Sequence, residues 1–283
     1  MTANELYKEL YNLYGPVTRA WDCFLYTKKG VRLTDLFLEN GRAILGWDGK
    51  SSFTMLKNTL NRGQTGGFIC EENERLEKAV SELLTSKRKI FFFSNKMDAL
   101  KAGLAISPES TSFWKPWNSN DAKNCACDAT CDVGCDITCD VSSVVITPPL
   151  PWTDSIYILA VKTEEIAAKN AEPVSKLYLP FAVKVALTRS IYNLIAELKI
   201  REEKDWFIYD TVLTKYWKRL GPYLYPKIPK ENYEAFVMHC LKNGILINPD
   251  YNAPSIVPYK ADKGIFSKLK KSPFMAEGGA NES

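Results

Sequence analysis

Five cysteines in one short stretch carry the most evident chemical potential in the chain. Cys125, Cys127, Cys131, Cys135 and Cys139 fall within fifteen positions, out of eight cysteines in all. The last four each precede an aspartate (Asp128, Asp132, Asp136, Asp140), so the stretch reads as a Cys-Asp unit recurring every four residues. Thiolates at such steps are ligands for a soft metal such as zinc or iron. The Cys-x2-Cys pairing of zinc knuckles is absent. On a helix the five sulfurs would spread over about 21 Å. A single mononuclear site would therefore need the stretch to coil back on itself, which Gly134 and the Asp and Thr residues permit. The aspartates add negative charge, which attracts cations. The other reading is a tandem repeat in an exposed loop over 119–140, dispensable for folding. The first ten residues are polar and mixed in charge, unlike a secretory signal, so structural disulfides are disfavoured and a cytoplasmic location is expected.

The remaining candidates are weaker. His239 is the only histidine, so any mechanism or metal site needing two histidines from one chain is excluded. His239 and Cys240 are neighbours, but on a helix adjacent residues point about 100° apart and cannot act as base and nucleophile. Cys240 lies on an apolar stripe, which assigns it to core packing. The stretch Lys215-Tyr216-Trp217-Lys218-Arg219 to Lys227 mixes basic and aromatic residues, as single-strand nucleic-acid surfaces do. Ordinary packing with solvated lysines is the favoured reading, and no nucleic-acid partner is expected. Gly63-Gln64-Thr65-Gly66-Gly67 is too short for a phosphate loop, and no Lys-Ser/Thr follows.

The chain that must position these residues is ordinary in bulk. It has 283 residues, 46% hydrophobic and 25% charged, with a net charge of +4. Such a balance is too weak to argue for nucleic acid or an anionic membrane, and no apolar run approaches the roughly 18 residues of a membrane span. Leu6, Leu10, Leu13 and Tyr14 recur at helical spacing until Gly15-Pro16. Residues 24–36 read as a hairpin turning at Gly30. A helix is expected over 71–85, where Leu76, Ala79, Val80, Leu83 and Leu84 form a stripe behind an acidic first turn. Ile90-Phe91-Phe92-Phe93 reads as a strand and 97–105 as a helix, a strand-turn-helix unit of an α/β sheet. Residues 107–140 show no clean period. Strands are expected at 144–146 and 156–161, a long helix over 181–202, a helix over 230–242 capped at Gly244, and strands at 245–247 and 255–257.

This order of pieces resembles the class III aminotransferases, of the fold type I pyridoxal-phosphate-dependent transferase superfamily. The residues carrying the resemblance are Gly30-Val31-Arg32-Leu33-Thr34-Asp35 and Gly41-Arg42-Ala43-Ile44-Leu45-Gly46, which stand where that family opens with a hairpin and a glycine-punctuated turn. Helix 71–85, the run Ile90 to Asn95 and the segment Glu231 to Leu269 carry the rest. The resemblance implies a reduced fold type I architecture: α/β with an α+β second unit. Residues 1–52 would pack with a C-terminal small domain at 166–275, residues 53–165 would be a large-domain remnant, and 276–283 a tail. It also implies that Ser94, Asn95 and Lys96 occupy the position of the family's phosphate cup, where a Ser-Gly-Ser/Thr turn meets a helix N-terminus. Here the glycine is missing, and without it backbone approaches a phosphate less closely. An aspartate at a strand end followed by a Gly-rich lysine segment is also missing from the sequence.

Three functions follow. The first is a shortened, catalytically inactive aminotransferase-like protein serving as a binding or assembly module, without a cofactor. The others are a pyridoxal-phosphate enzyme with a rearranged site, and a metal- or thiol-binding protein acting through the cysteine repeat. Phe91 to Phe93 and Phe113-Trp114-Lys115-Pro116-Trp117 concentrate six large aromatics, which either mark an interface in a homodimer or with a fuller-length relative or fill the protein's own core. No membrane partner is expected.

Overall fold

A computed structural model describes residues 1–66, 71–117, 141–152 and 155–275. The chain divides into two compact units, residues 1–47 with 201–283, and residues 48–200. The cysteine repeat and the proposed loop 119–140 lie outside the described residues.

The first unit opens with helix α1 (Ala3–Tyr14). Thr2 caps it and exchanges hydrogen bonds with Glu5, and Gly15 ends it with φ of 74°. Strands β1 (Val17–Trp21), β2 (Phe24–Thr27) and β3 (Arg32–Asp35) follow as an antiparallel meander.

The second unit contains helices α2 (Ser51–Asn61) and α3 (Glu72–Leu83), strand β4 (Arg88–Phe93), helix α4 (Lys96–Ile106), strands β5 (Thr111–Trp114), β6 (Ser143–Ile146) and β7 (Tyr157–Lys162), and helices α5 (Thr163–Lys169) and α6 (Phe181–Leu198). Its sheet has the order β4-β7-β6-β5. β7 runs antiparallel to both neighbours, and only β5 and β6 are parallel. Successive strand residues point to opposite faces, and both faces are covered. Ile90, Phe92, Val144, Ile146 and Ile158 join Leu76, Val80, Leu187 and Ile191 in one cluster. Phe91, Phe93, Val145, Leu159 and Val161 join Ala99, Ile106 and Ile166 in the other. Burial of both faces is why these strands read as unbroken apolar runs. Buried Arg88 ties the sheet's end together, donating to the carbonyls of Val141, Ser142 and Ala160.

The chain then returns to the first unit through α7 (Lys204–Phe207), α8 (Asp210–Leu213), β8 (Trp217–Leu220), β9 (Tyr223–Pro226), α9 (Tyr233–Lys242), β10 (Ile245–Leu246), β11 (Ser255–Ile256) and α10 (Ser267–Lys271). β10 pairs parallel with β3, Thr34 opposite Ile245, closing the sheet β1-β2-β3-β10. A second sheet, β11-β9-β8, joins it where the Ile256 N–H donates to the Leu36 carbonyl at 2.7 Å.

Two expectations are corrected, and the basic-aromatic stretch packs in the ordinary way expected of it. The unit boundaries fall at 47/48 and 200/201 rather than near 52 and 166. The reason is α6, whose face of Val183, Ala186, Leu187 and Ile191 packs into the core shared with α3 and the sheet. The aromatics of 91–93 are buried, while Phe113 and Trp114 pack against the two clusters, so they fill this unit's core and leave no exposed aromatic patch. The basic-aromatic stretch is the β8–β9 hairpin: Trp217 and Tyr223 are buried and Arg219 is held by Asp210 and Glu203.

Candidate functional site

Ser94, Asn95 and Lys96 do meet at one corner, where β4 turns into α4. Asn95 has extended backbone (φ −126°, ψ 131°), and its side-chain oxygen accepts hydrogen bonds from the backbone N–H groups of Met97 (2.8 Å) and Asp98 (3.4 Å). Asparagine is favoured here because the first amides of a helix have no partner within the helix. The amides that would face an anion are thus taken by the chain's own side chain. Asp98 adds a carboxylate to the first turn and pairs with Lys176 at 3.6 Å. The Lys96 ammonium lies over the Phe113 ring, 4.1 Å from its centre, and Ser94 is exposed. The corner is capped by Asn95, and its first turn holds both Lys96 and Asp98.

A second polar centre, not anticipated from the sequence, lies in the first unit. Asp35 is fully buried. One carboxylate oxygen accepts from the N–H groups of Phe37 (2.8 Å) and Leu38 (2.9 Å), the other from the Trp47 indole N–H (2.8 Å). Burial pushes this carboxyl up to about 6, against the downward pull of those three donors. The turn it holds is strained: Leu38, Glu39 and Asn40 have φ of 45°, 53° and 56°, a left-handed run costing about 1–2 kcal/mol per residue. Arg42 grips Glu39 through both its carbonyl and its carboxylate, and the Tyr7 hydroxyl donates to the same carboxylate. Asn40 then accepts from the Asn248 amide at 3.1 Å. Beside them a cleft of about 480 Å³ is lined by Asn40, Tyr233, Asn248, Asp250 and Tyr251. The only signal in the sequence was the Glu39-Asn40-Gly41 turn next to an aspartate ending a strand.

His239 and Cys240 do not form a nucleophile-base pair. Cys240 is buried on α9 and its thiol is pushed well above the ordinary range by burial, while His239 meets the Ser272 carbonyl at 2.9 Å. The Cys23 thiol is pushed to about 12, again chiefly by burial. Among the described residues no group of three or more His, Cys, Asp or Glu side chains is placed to hold a metal ion. No helix among the described residues is long and apolar enough to cross a membrane.

No protein-family model matches the chain. An uncharacterized protein of Treponema pallidum (strain Nichols) is 24% identical over 303 residues, covering 88% of this chain and 91% of that protein. Among solved structures, the ornithine aminotransferase of Toxoplasma gondii, crystallised with oxidized glutathione and partly occupied by pyridoxal phosphate at its active site, superposes with a TM-score of 0.63. Its identity is 10%, with 96% of this chain and 97% of that chain covered. The acetylornithine aminotransferase of Elizabethkingia anophelis gives 0.60 at 10% identity, covering 94% and 97%. The likeness is one of fold. The chain has a mixed α/β architecture with open sheets, of the fold type I pyridoxal-phosphate transferase kind.

That fold implies pyridoxal phosphate, and the described residues do not fit it. At the corner that the sequence resemblance assigns to its phosphate, Asn95 already takes the Met97 and Asp98 amides. The buried polar side chains of the described second unit are hydroxyls, Glu72 and Arg88. Neither the aspartate that would hold a pyridine nitrogen nor the lysine that would bind the aldehyde is among them.

Proposed function

We propose that this chain is a catalytically inactive aminotransferase-like protein that serves as a binding or assembly module. The observation carrying this reading is the Asn95 side chain seated on the α4 amides where the fold would otherwise receive a phosphate. The described residues of the second unit support it: their buried polar side chains include no aspartate that could hold a pyridine nitrogen. The binding surface of the module is the first unit's cleft, with its amide and tyrosine lining. The partner in assembly is a second copy or a fuller-length relative. Val174 and Tyr178, 79% and 81% exposed, offer apolar contact on the second unit in place of the aromatics consumed by its core.

The test is direct. Full-length protein is incubated with pyridoxal phosphate, reduced with borohydride and digested for mass spectrometry. The expected result is scattered, substoichiometric labelling of surface lysines. One lysine carrying a pyridoxyl group at full occupancy, with amine exchange in the unreduced sample, would overturn the reading. Light scattering at micromolar concentration reports on assembly: a lasting monomer that recruits no relative would remove that part of it.

A further inference from the structure

Away from the α4 corner, the second unit gathers three arginines around one small cleft. Arg62 closes the C-terminus of α2, Arg75 sits one turn into α3, and Arg189 projects from the middle of α6. All three line a cavity of about 230 Å³. Their charges are poorly compensated. The Arg62 guanidinium has no hydrogen bond or ion pair among the described residues. Among the described residues Arg189 uses only its Nε, donating to the Ser51 hydroxyl at 2.7 Å. Arg75 reaches Glu71 and Glu72 at 3.9 Å each, the outer limit of an ion pair. Glu72 is the one carboxylate lining the cleft. Its side chain is 6% exposed and is fixed by the Thr188 hydroxyl at 2.6 Å. Three guanidiniums against one carboxylate leave a lining charge of +2, trimmed at the rim by the exposed Glu71.

The rest of the lining is apolar. Met55, Phe181, Val185 and Tyr192 make a wall beside the guanidiniums. Like charges brought together around a small volume repel, and a bound anion relieves that repulsion. Guanidinium forks match oxyanions in geometry and hold phosphate through paired hydrogen bonds. A phosphate monoester carries a charge of about −1.5 to −2 at neutral pH, close to the lining charge. A carboxylate would supply half of it.

We propose that this cleft binds a small phosphate monoester with an apolar body: phosphate between Arg62, Arg75 and Arg189, body against Phe181 and Tyr192. The site shares no residue with the corner at Ser94–Lys96 and stands whether or not the chain is an enzyme.

Calorimetry on the full-length protein tests it, with phenyl phosphate, inorganic phosphate, benzoate and phenol as probes. Phenyl phosphate should bind at one site per chain, inorganic phosphate at least about tenfold more weakly, and phenol not at all. Arg62→Ala and Arg189→Ala are exposed changes. Each should weaken phenyl phosphate at least about tenfold while leaving the melting temperature unmoved. Phe181→Ala should weaken phenyl phosphate and leave inorganic phosphate unchanged. The proposal fails if phenyl phosphate shows no saturable binding at millimolar concentration, or if the arginine variants bind it as the parent does. Benzoate binding as tightly as phenyl phosphate would overturn the phosphate assignment.

Discussion

A single carboxylate, Asp35, holds the turn that follows β3, and its ionisation should be visible in the stability of the protein. Its folded pKa of about 6 lies above that of an unfolded aspartate, near 4. Between those values the folded state binds the proton and the unfolded state has released it. The stability from protonated Asp35 is therefore fully present below about pH 4 and is lost as pH rises through about 6, about 3 kcal/mol in all. Asparagine does not titrate, so the unfolding free energy of wild type minus that of Asp35→Asn should fall across this window in denaturant melts at stepped pH. A flat difference would mean that Asp35 ionises like a surface carboxylate. At the α4 corner, Asn95→Ala should cost about 1 kcal/mol and speed hydrogen exchange at Met97 and Asp98, the two amides it caps. The cap was legible: an asparagine before a helical pattern is a start signal. Asp35 was not, because its donors belong to Leu38 and other residues whose types do not announce a left-handed turn. Nor was the arginine cleft, whose members come from three separate helices.

Among the elements, those with a clean period were readable and those without one were not. The strand-turn-helix around Ile90 was legible because alternate residues feed two separate cores. α2 was missed because its buried positions are Ser52 and Thr59, which leave no apolar stripe. β1 was missed because four of its five residues are exposed, so no alternation survives. The β8–β9 hairpin hid behind its outward Lys and Arg side chains. Close packing between elements gives a further prediction. A Cβ at Gly103 on α4 would stand 2.7 Å from the Thr111 methyl on β5 and 3.1 Å from Leu159 on β7. Thr111 cannot swing aside freely, since its hydroxyl donates to the Ser107 carbonyl at 2.7 Å. Gly103→Ala should therefore lose about 1–2 kcal/mol, overpacking outweighing the better helix propensity of alanine. Adding Thr111→Ser, which deletes the offending methyl, should recover most of that loss in a thermal melt.

At the scale of the whole molecule, one unit is continuous in sequence and the other is not. Residues 48–200 contain both of their core clusters and every strand of their sheet. Expressed alone, this segment should unfold cooperatively in urea and show dispersed amide resonances. Residues 1–47 alone should remain disordered by the same measures, because β3 lacks β10 and Leu36 lacks its partner Ile256. A collapsed, non-cooperative 48–200 fragment would refute the division. The parallel pair of β3 and β10 also sets a schedule for synthesis. At about 5–20 residues per second, Ile245 leaves the ribosome about 10–40 s after Asp35 does. During that interval the middle of the chain is complete and free to fold, while the edge of β3 stands open to any passing strand. Nascent chains held close together on one messenger would then be at risk of exchanging their first hairpins, each capturing the β10 of a neighbour. The interleaved order of the two units makes the timing of translation, and whatever shields that edge, part of how this protein reaches its fold.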